Sequence, residues 1–190
     1  MKSILTAAIA AAVLATSVHA QNAPAGDPGK GAAAPANAGP PSGAPPLNTA
    51  VTPTLQSALA LAESALAACK TKGFAVSVSV VDSAGLAKVT LGADGSPGRT
   101  ATSVRKAATA VAFNAPGSEL EARAAKDKDF AAKIAANPDY NDHPGSLPLL
   151  LDGKLIGGIG IGGAPTHEDD EACARSAVTQ LQGKMHAYTP

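Results

Sequence analysis

The sequence predicts an α+β fold, a single domain in which a mostly antiparallel β-sheet is flanked by α-helices. Three observations carry that expectation. A period-two strand and a return strand flank the turn-forming Asp82-Ser83-Ala84-Gly85, and a second pair of strands flanks Asp152-Gly153. The stretches before, between and after these two hairpins repeat their small and apolar residues at helical spacing. Hairpins make antiparallel neighbours, and helices with one apolar stripe must cover a sheet to bury it.

Taken in order, Pro53 suits the first position of a helix with Thr52 as its cap. Leu55, Leu59, Ala62, Leu66 and Cys69 then recur at steps of four and three, giving one stripe, and Gly73 ends the helix. Val76, Val78 and Val80 alternate with Ser77 and Ser79, which is a strand with one greasy and one polar face. Leu86 to Leu91 is the return strand. A Gly/Asp/Pro loop over 92–98 precedes a second helix at about 100–113, with Ala101, Val104, Ala108 and Val111 as its face and Pro116 after it.

Ser118 and Glu121 have capping-box spacing for a short third helix, and Asp127 to Ala136 gives a fourth. Residues 137–146 read as an exposed polar loop. Leu147 to Leu151 and Lys154 to Gly162 form the second hairpin, because Asp-Gly favours the tight two-residue turn. Thr166 and Asp169 cap a last helix whose stripe is Ala174, Val178, Leu181 and Met185.

The N-terminal segment has a different character. Lys2, the uncharged apolar run from Ile4 to Val18 and the small residues of Val18-His19-Ala20 have the layout of a cleavable export signal over residues 1–20. The run is shorter than the ~20 apolar residues a membrane span needs. Residues 21–53 are a Pro/Ala/Gly-rich linker without a large apolar residue before Leu47, too poor in burial to offset ordering. The folded domain is expected over 54–186, and the mature chain, starting at Gln21, in the periplasm or secreted, with no membrane span.

Composition narrows the partners. Fifteen basic and fifteen acidic residues cancel without a basic cluster, which gives no footprint for nucleic acid. Cys69 and Cys173 are an even pair in an exported chain, compatible with one disulfide or with two buried thiols. Nucleophile-elbow, His-Glu-x-x-His and P-loop motifs are absent.

The most unusual segment is Gly157-Gly158-Ile159-Gly160-Ile161-Gly162-Gly163. Its formal GxGxxG is not a dinucleotide fingerprint, which needs a parallel βαβ unit and a later acidic residue. In a strand Gly158, Gly160 and Gly162 share one bare face, suited to a closely packed helix or subunit or to a planar ligand. On the ligand or subunit reading, Gly160→Val should cost little strand stability yet block assembly or ligand uptake. His143, beside Pro144 in the polar loop, is a candidate metal ligand, with a plain surface histidine as the alternative. The run Glu168-Asp169-Asp170-Glu171 is better explained by helix capping and solvation than by metal binding.

Three segments in order resemble one family. These are the Val-rich strand ending in Asp82-Ser83-Ala84-Gly85, the helix segment Arg105-Lys106-Ala107-Ala108-Thr109-Ala110, and Leu147-Pro148 followed by Asp152-Gly153, Gly157 to Gly163 and Asp169 or Asp170. Together they resemble the GlcG/HbpS haem-binding family, also called the haem-degrading domain family. The resemblance implies a helix-flanked antiparallel sheet, a homo-oligomer, and haem or a related tetrapyrrole as ligand. It implies sensing, storage or handling of haem. Its alternatives are an enzyme degrading haem or acting on a small hydroxy acid or aldehyde, or a ligand-free adaptor. Carried over by position, Lys106 and Thr109 lie beside the pocket and Gly158, Gly160 and Gly162 form part of its floor. The chain departs from the family's Arg-x-Asp-Gly-Ala segment, having Gly92-Ala93-Asp94-Gly95-Ser96 and losing its Arg, which implies a weaker hold on haem propionates.

Overall fold

Alternating Val and Ser along one strand lets helices pack on both faces of a sheet, and this is how the chain folds. A computed structural model describes residues 50–181 and 183–188. The expected export signal and most of the linker lie outside the described residues. Strands β2 (Ser77–Asp82), β3 (Ala87–Gly92), β4 (Ser146–Leu151) and β5 (Lys154–Gly162) form one antiparallel sheet in the order β3-β2-β5-β4. A two-residue pairing of β1 (Thr52–Pro53) with β6 (Ala187–Tyr188) brings the ends of the domain together.

Helices α1 (Leu55–Lys70) and α5 (His167–Gln180) cover the valine face, where Val76, Val78 and Val80 meet Leu61, Ala65, Ala174 and Ala177 in the main core. Helix α2 (Thr100–Phe113) covers the serine face, and the Ser79 and Ser103 hydroxyls are 2.7 Å apart beneath it. Helices α3 (Gly117–Ala124) and α4 (Lys128–Ala135) form a satellite around Leu120, Phe130 and Ile134. Both faces of β2 are therefore buried. Cys69 and Cys173 form a disulfide that joins α1 to α5, resolving the alternative left open by the sequence. Closing a loop of about 100 residues stabilises by up to ~5 kcal/mol in the chain-entropy account. Among the described residues no helix is long and apolar enough to cross a membrane.

Several local expectations change. Thr52 and Pro53 are in β1, and α1 is capped by Thr54, whose Oγ1 accepts from Ser57 N at 3.2 Å. The α1 stripe is rotated from the expected one: Leu55 and Leu59 are 57% and 36% exposed, while Ala58, Leu61 and Ala65 are buried. Small residues win there because α1 lies close against the sheet and against the alanines of α5. In α2, Ala101 is exposed and Val104 and Ala108 are only part-buried. Its inner face is Ser103, Lys106, Ala107 and Ala110.

That face is chosen by the glycine strand. A Cβ at Gly158 would lie 2.7 Å from Ala107 O. At Gly160 it would meet Ser103 O still more closely and Ala107 N at 2.6 Å. The occupant of the bare face at these two positions is α2 of the same chain, so Gly160→Val strikes the fold itself, contrary to the mild cost expected from the sequence.

Candidate functional site

Gly162 differs from its two neighbours on that face. A Cβ there would meet only Arg99 Cβ at 3.2 Å, then Arg99 O and Thr102 Cγ2 at 3.6 Å. Here the strand has run past the packed part of α2 and opens into a cleft. The cleft encloses about 470 Å³ between the loop before α2 and the start of α5, and Pro97, Arg99, Thr102, Gly162, Pro165 and His167 line it, with Lys106 and Asp170 at its base. That volume is in the range of small-molecule sites. Arg99 supplies a cation just downstream of the segment where the family's Arg is missing, so the cleft does not lack positive charge.

Lys106 is, together with Asp170, the most buried charge in the neighbourhood. Its Nζ donates to Asp170 Oδ2 at 2.9 Å, both side chains being 1% exposed, and Asp170 Oδ1 accepts from Ala164 N at 2.9 Å. The pair ties α2 to α5 across the end of the sheet. Gly145 makes room for it: its φ is +124°, and a Cβ there would lie 2.7 Å from Lys106 Nζ. Thr109 does not face the cleft. Its Oγ1 donates to Arg105 O and accepts from Asn141 N, both at 2.7 Å, which pins the 137–145 loop to α2.

The acidic run at the start of α5 divides. Thr166 Oγ1 accepts from Asp169 N at 3.1 Å, as expected for the cap, and Glu168 and Asp169 stay outside the core. Asp170 and Glu171 are buried, so solvation does not account for them. Glu171 accepts from Ser118 N at 2.9 Å, Ser118 Oγ at 2.7 Å, Gly145 N at 3.2 Å and Arg175 at 2.5 Å. Burial pushes the Glu171 carboxyl up, but those hydrogen bonds more than offset it and hold it below the usual range. The Ser118–Glu121 capping box therefore does not form: Ser118 is engaged by Glu171, and α3 begins after Pro116 without a side-chain cap. The buried end of the expected exposed loop, Pro144 to Ser146, follows from the same contacts.

Glu121 instead meets His143. Its Oε1 is 2.7 Å from His143 Nδ1, and the His143 ring stacks on that of His167, with centroids 4.5 Å apart and planes at 30°. Partial burial, then Lys106 and His143, lower the pKa of His167, favouring its neutral ring. The structure thus brings Lys106, Gly162 and, through His167, His143 to one corner of the domain. It places Thr109 beside that corner, and Gly158 and Gly160 beneath α2. Sequence reasoning missed Arg99, Asp170, Glu171 and the convergence on His167. The four-residue step from His167 to Glu171 was a readable signal that both lie on one helix face.

This geometry defines a small α+β domain with an open cleft over a buried ion pair. The chain belongs to the HbpS-like family, described as haem-degrading proteins, whose model matches residues 54–179. Among solved structures, a double mutant of Streptomyces reticuli HbpS is 37% identical, with a TM-score of 0.64 and coverage of 79% of this chain and 98% of that one. A second HbpS crystal structure is 38% identical, with a TM-score of 0.64 and coverage of 71% and 94%. The PduOC:heme complex is 24% identical, with a TM-score of 0.62 and coverage of 73% and 98%, a likeness of fold. No curated protein matches the chain.

Proposed function

We propose that the chain is an exported haem-binding protein that senses, stores or handles haem, and that the cleft at the start of α5 is where haem sits. The observation that carries this reading is the pairing of a cation and stacked imidazoles at one cleft: Arg99 at its wall, and His167, backed by His143, at its rim. Family membership and a relative of the same fold crystallised as a heme complex support it. The residues fit the group. Pro97, Pro165 and Gly162 offer flat, uncharged walls for a macrocycle, Arg99 would hold a propionate, and His143 or His167 would present a ring nitrogen to the iron. Lys106 would stay with Asp170 and act by holding the cleft's two sides together. Bound haem would supply a redox-active iron.

Export is part of the same proposal: residues 1–20 are the signal, and the linker expected over 21–53 leads into the working domain expected over 54–186, with Thr52 and Pro53 already joined to that domain as β1. The Cys69–Cys173 disulfide supports it, because such bonds persist mainly in oxidising compartments. A homo-oligomer, which the family resemblance implies, belongs to the same proposal, and size-exclusion chromatography would read it.

Adding hemin to purified protein should give a Soret band that saturates at one haem per chain. A flat titration with folded protein would overturn the reading. Loss of the band on adding reductant and oxygen would identify a degrading enzyme, as the family's description suggests, and a stable band would identify a carrier or sensor.

A further inference from the structure

We infer that, in the haem-free protein, Glu121, His143 and His167 form a binding site for a free divalent first-row transition ion, such as Zn²⁺. One ligand atom from each residue lies within 4.8 Å of the other two. The three come from α3, the loop before β4 and the first turn of α5, far apart in sequence.

Their convergence has a cause. Glu171 accepts hydrogen bonds from Ser118 and from Gly145, and so fastens α3 and the loop to α5. Glu121 is three residues after Ser118 in α3, His143 two before Gly145, and His167 four before Glu171 in α5. In a helix, residues three or four apart share a face, so the fastening that buries Glu171 carries Glu121 and His167 to the same side. His143 is brought there by the loop. Glu171 is a positioning residue for this site.

The donor set selects the ion. Two imidazoles and one carboxylate suit Zn²⁺ and neighbouring transition ions, whereas Ca²⁺ and Mg²⁺ demand mostly oxygen ligands. Ligands roughly 2.0–2.1 Å from a tetrahedral centre lie about 3.3 Å apart, so the widest separation, at most 4.8 Å, must close by up to about 1.5 Å, while the 2.7 Å contact of Glu121 Oε1 with His143 Nδ1 must open slightly. The His143 and Glu121 side chains are 50% and 43% exposed, which leaves them free to rotate by that much. Three protein ligands leave a coordination position open to water or to another ligand. Because His167 also lines the cleft, an ion held here meets a cleft ligand at one imidazole.

The test is calorimetric titration of untagged, chelator-stripped, hemin-free protein with Zn²⁺, with Co²⁺ visible absorption as a second probe of coordination. One ion per chain is expected. His143→Ala and His167→Ala should each weaken binding roughly tenfold or more, the scale of losing a metal-site interaction. His186→Ala, on an exposed histidine outside the cluster, should bind as wild type does. Circular dichroism confirms that each variant is folded, which the exposure of these side chains favours. No saturable Zn²⁺ uptake by the wild type, or unchanged uptake in both His143→Ala and His167→Ala, would overturn the inference. Hemin plays no part in this titration, so a failure of the haem reading leaves its outcome intact.

Discussion

The two ends of strand β5 face the same helix and have opposite chemistry. At Gly158 and Gly160 glycine is there because α2 rests directly on the strand, and the contact is backbone on backbone. At Gly162 the helix has drawn away, and a cation, two prolines and an imidazole surround the opening. One run of glycines therefore serves packing at one end and access at the other. A bare strand face is a site only where nothing of the chain's own lies on it.

The largest expected effect is at the base of the cleft. Asp170→Ala leaves Lys106 buried and unpaired, which should lower unfolding free energy by about 3–5 kcal/mol. A Lys106→Met, Asp170→Leu double variant should recover much of that loss, since apolar replacement of a buried pair is often neutral or better. Urea unfolding of the two variants measures both. An Asp170→Ala protein as stable as wild type would mean that the pair does not join α2 to α5 as described.

Next comes the packed end of the strand. Gly160→Val should destabilise by about 3 kcal/mol, the upper end of ordinary overpacking, because the opposing atoms are helix backbone and cannot turn aside. Thermal melting reads it. Retention of the wild-type melting temperature would show that α2 has slack over β5, and would erase the contrast between the two ends.

A smaller effect concerns pH. Glu171 has its folded pKa depressed, so its stabilisation is present above the ordinary carboxylate range and is lost as pH falls through the lower folded value. His167, also depressed, works in the same sense: protonation below the ordinary imidazole range disfavours the folded state. Stability should therefore decline in two steps on acidification, and Glu171→Gln should remove the more acidic one. A single step in wild type, unchanged in Glu171→Gln, would contradict the role given to Glu171 in holding α3 and the loop.

Much of the framework was legible in the sequence because it rests on local rules. Period two in Val76 to Val80, the Asp-Gly turn at Asp152-Gly153 and the Thr166 cap each act over a few residues, and each appears where expected. Helix faces were less legible. Ranking by hydrophobicity puts Leu55, Leu59 and Val104 inside, but close packing on glycine and alanine surfaces admits Ala107, Ala110 and the slender stem of Lys106 instead. The acidic run misled for a related reason. Capping explains Asp169, whereas Asp170 and Glu171 are buried by partners at Lys106, Ser118 and Gly145, which no local pattern announces. Arg99 was hidden by a short displacement along a loop, where sequence position says little about where a side chain ends.

The most direct test of the account is a hemin titration of Gly162→Val beside wild type. Gly162 has extended backbone, and an added Cβ comes within 3.2 Å of Arg99 Cβ, so the exposed start of α2 must shift by a few tenths of an ångström to admit it. The variant should fold, with a melting temperature near that of wild type, while its hemin affinity falls about tenfold or more, a loss of roughly 1.4 kcal/mol. Wild-type hemin binding by folded Gly162→Val would place the haem somewhere other than this cleft and contradict the account.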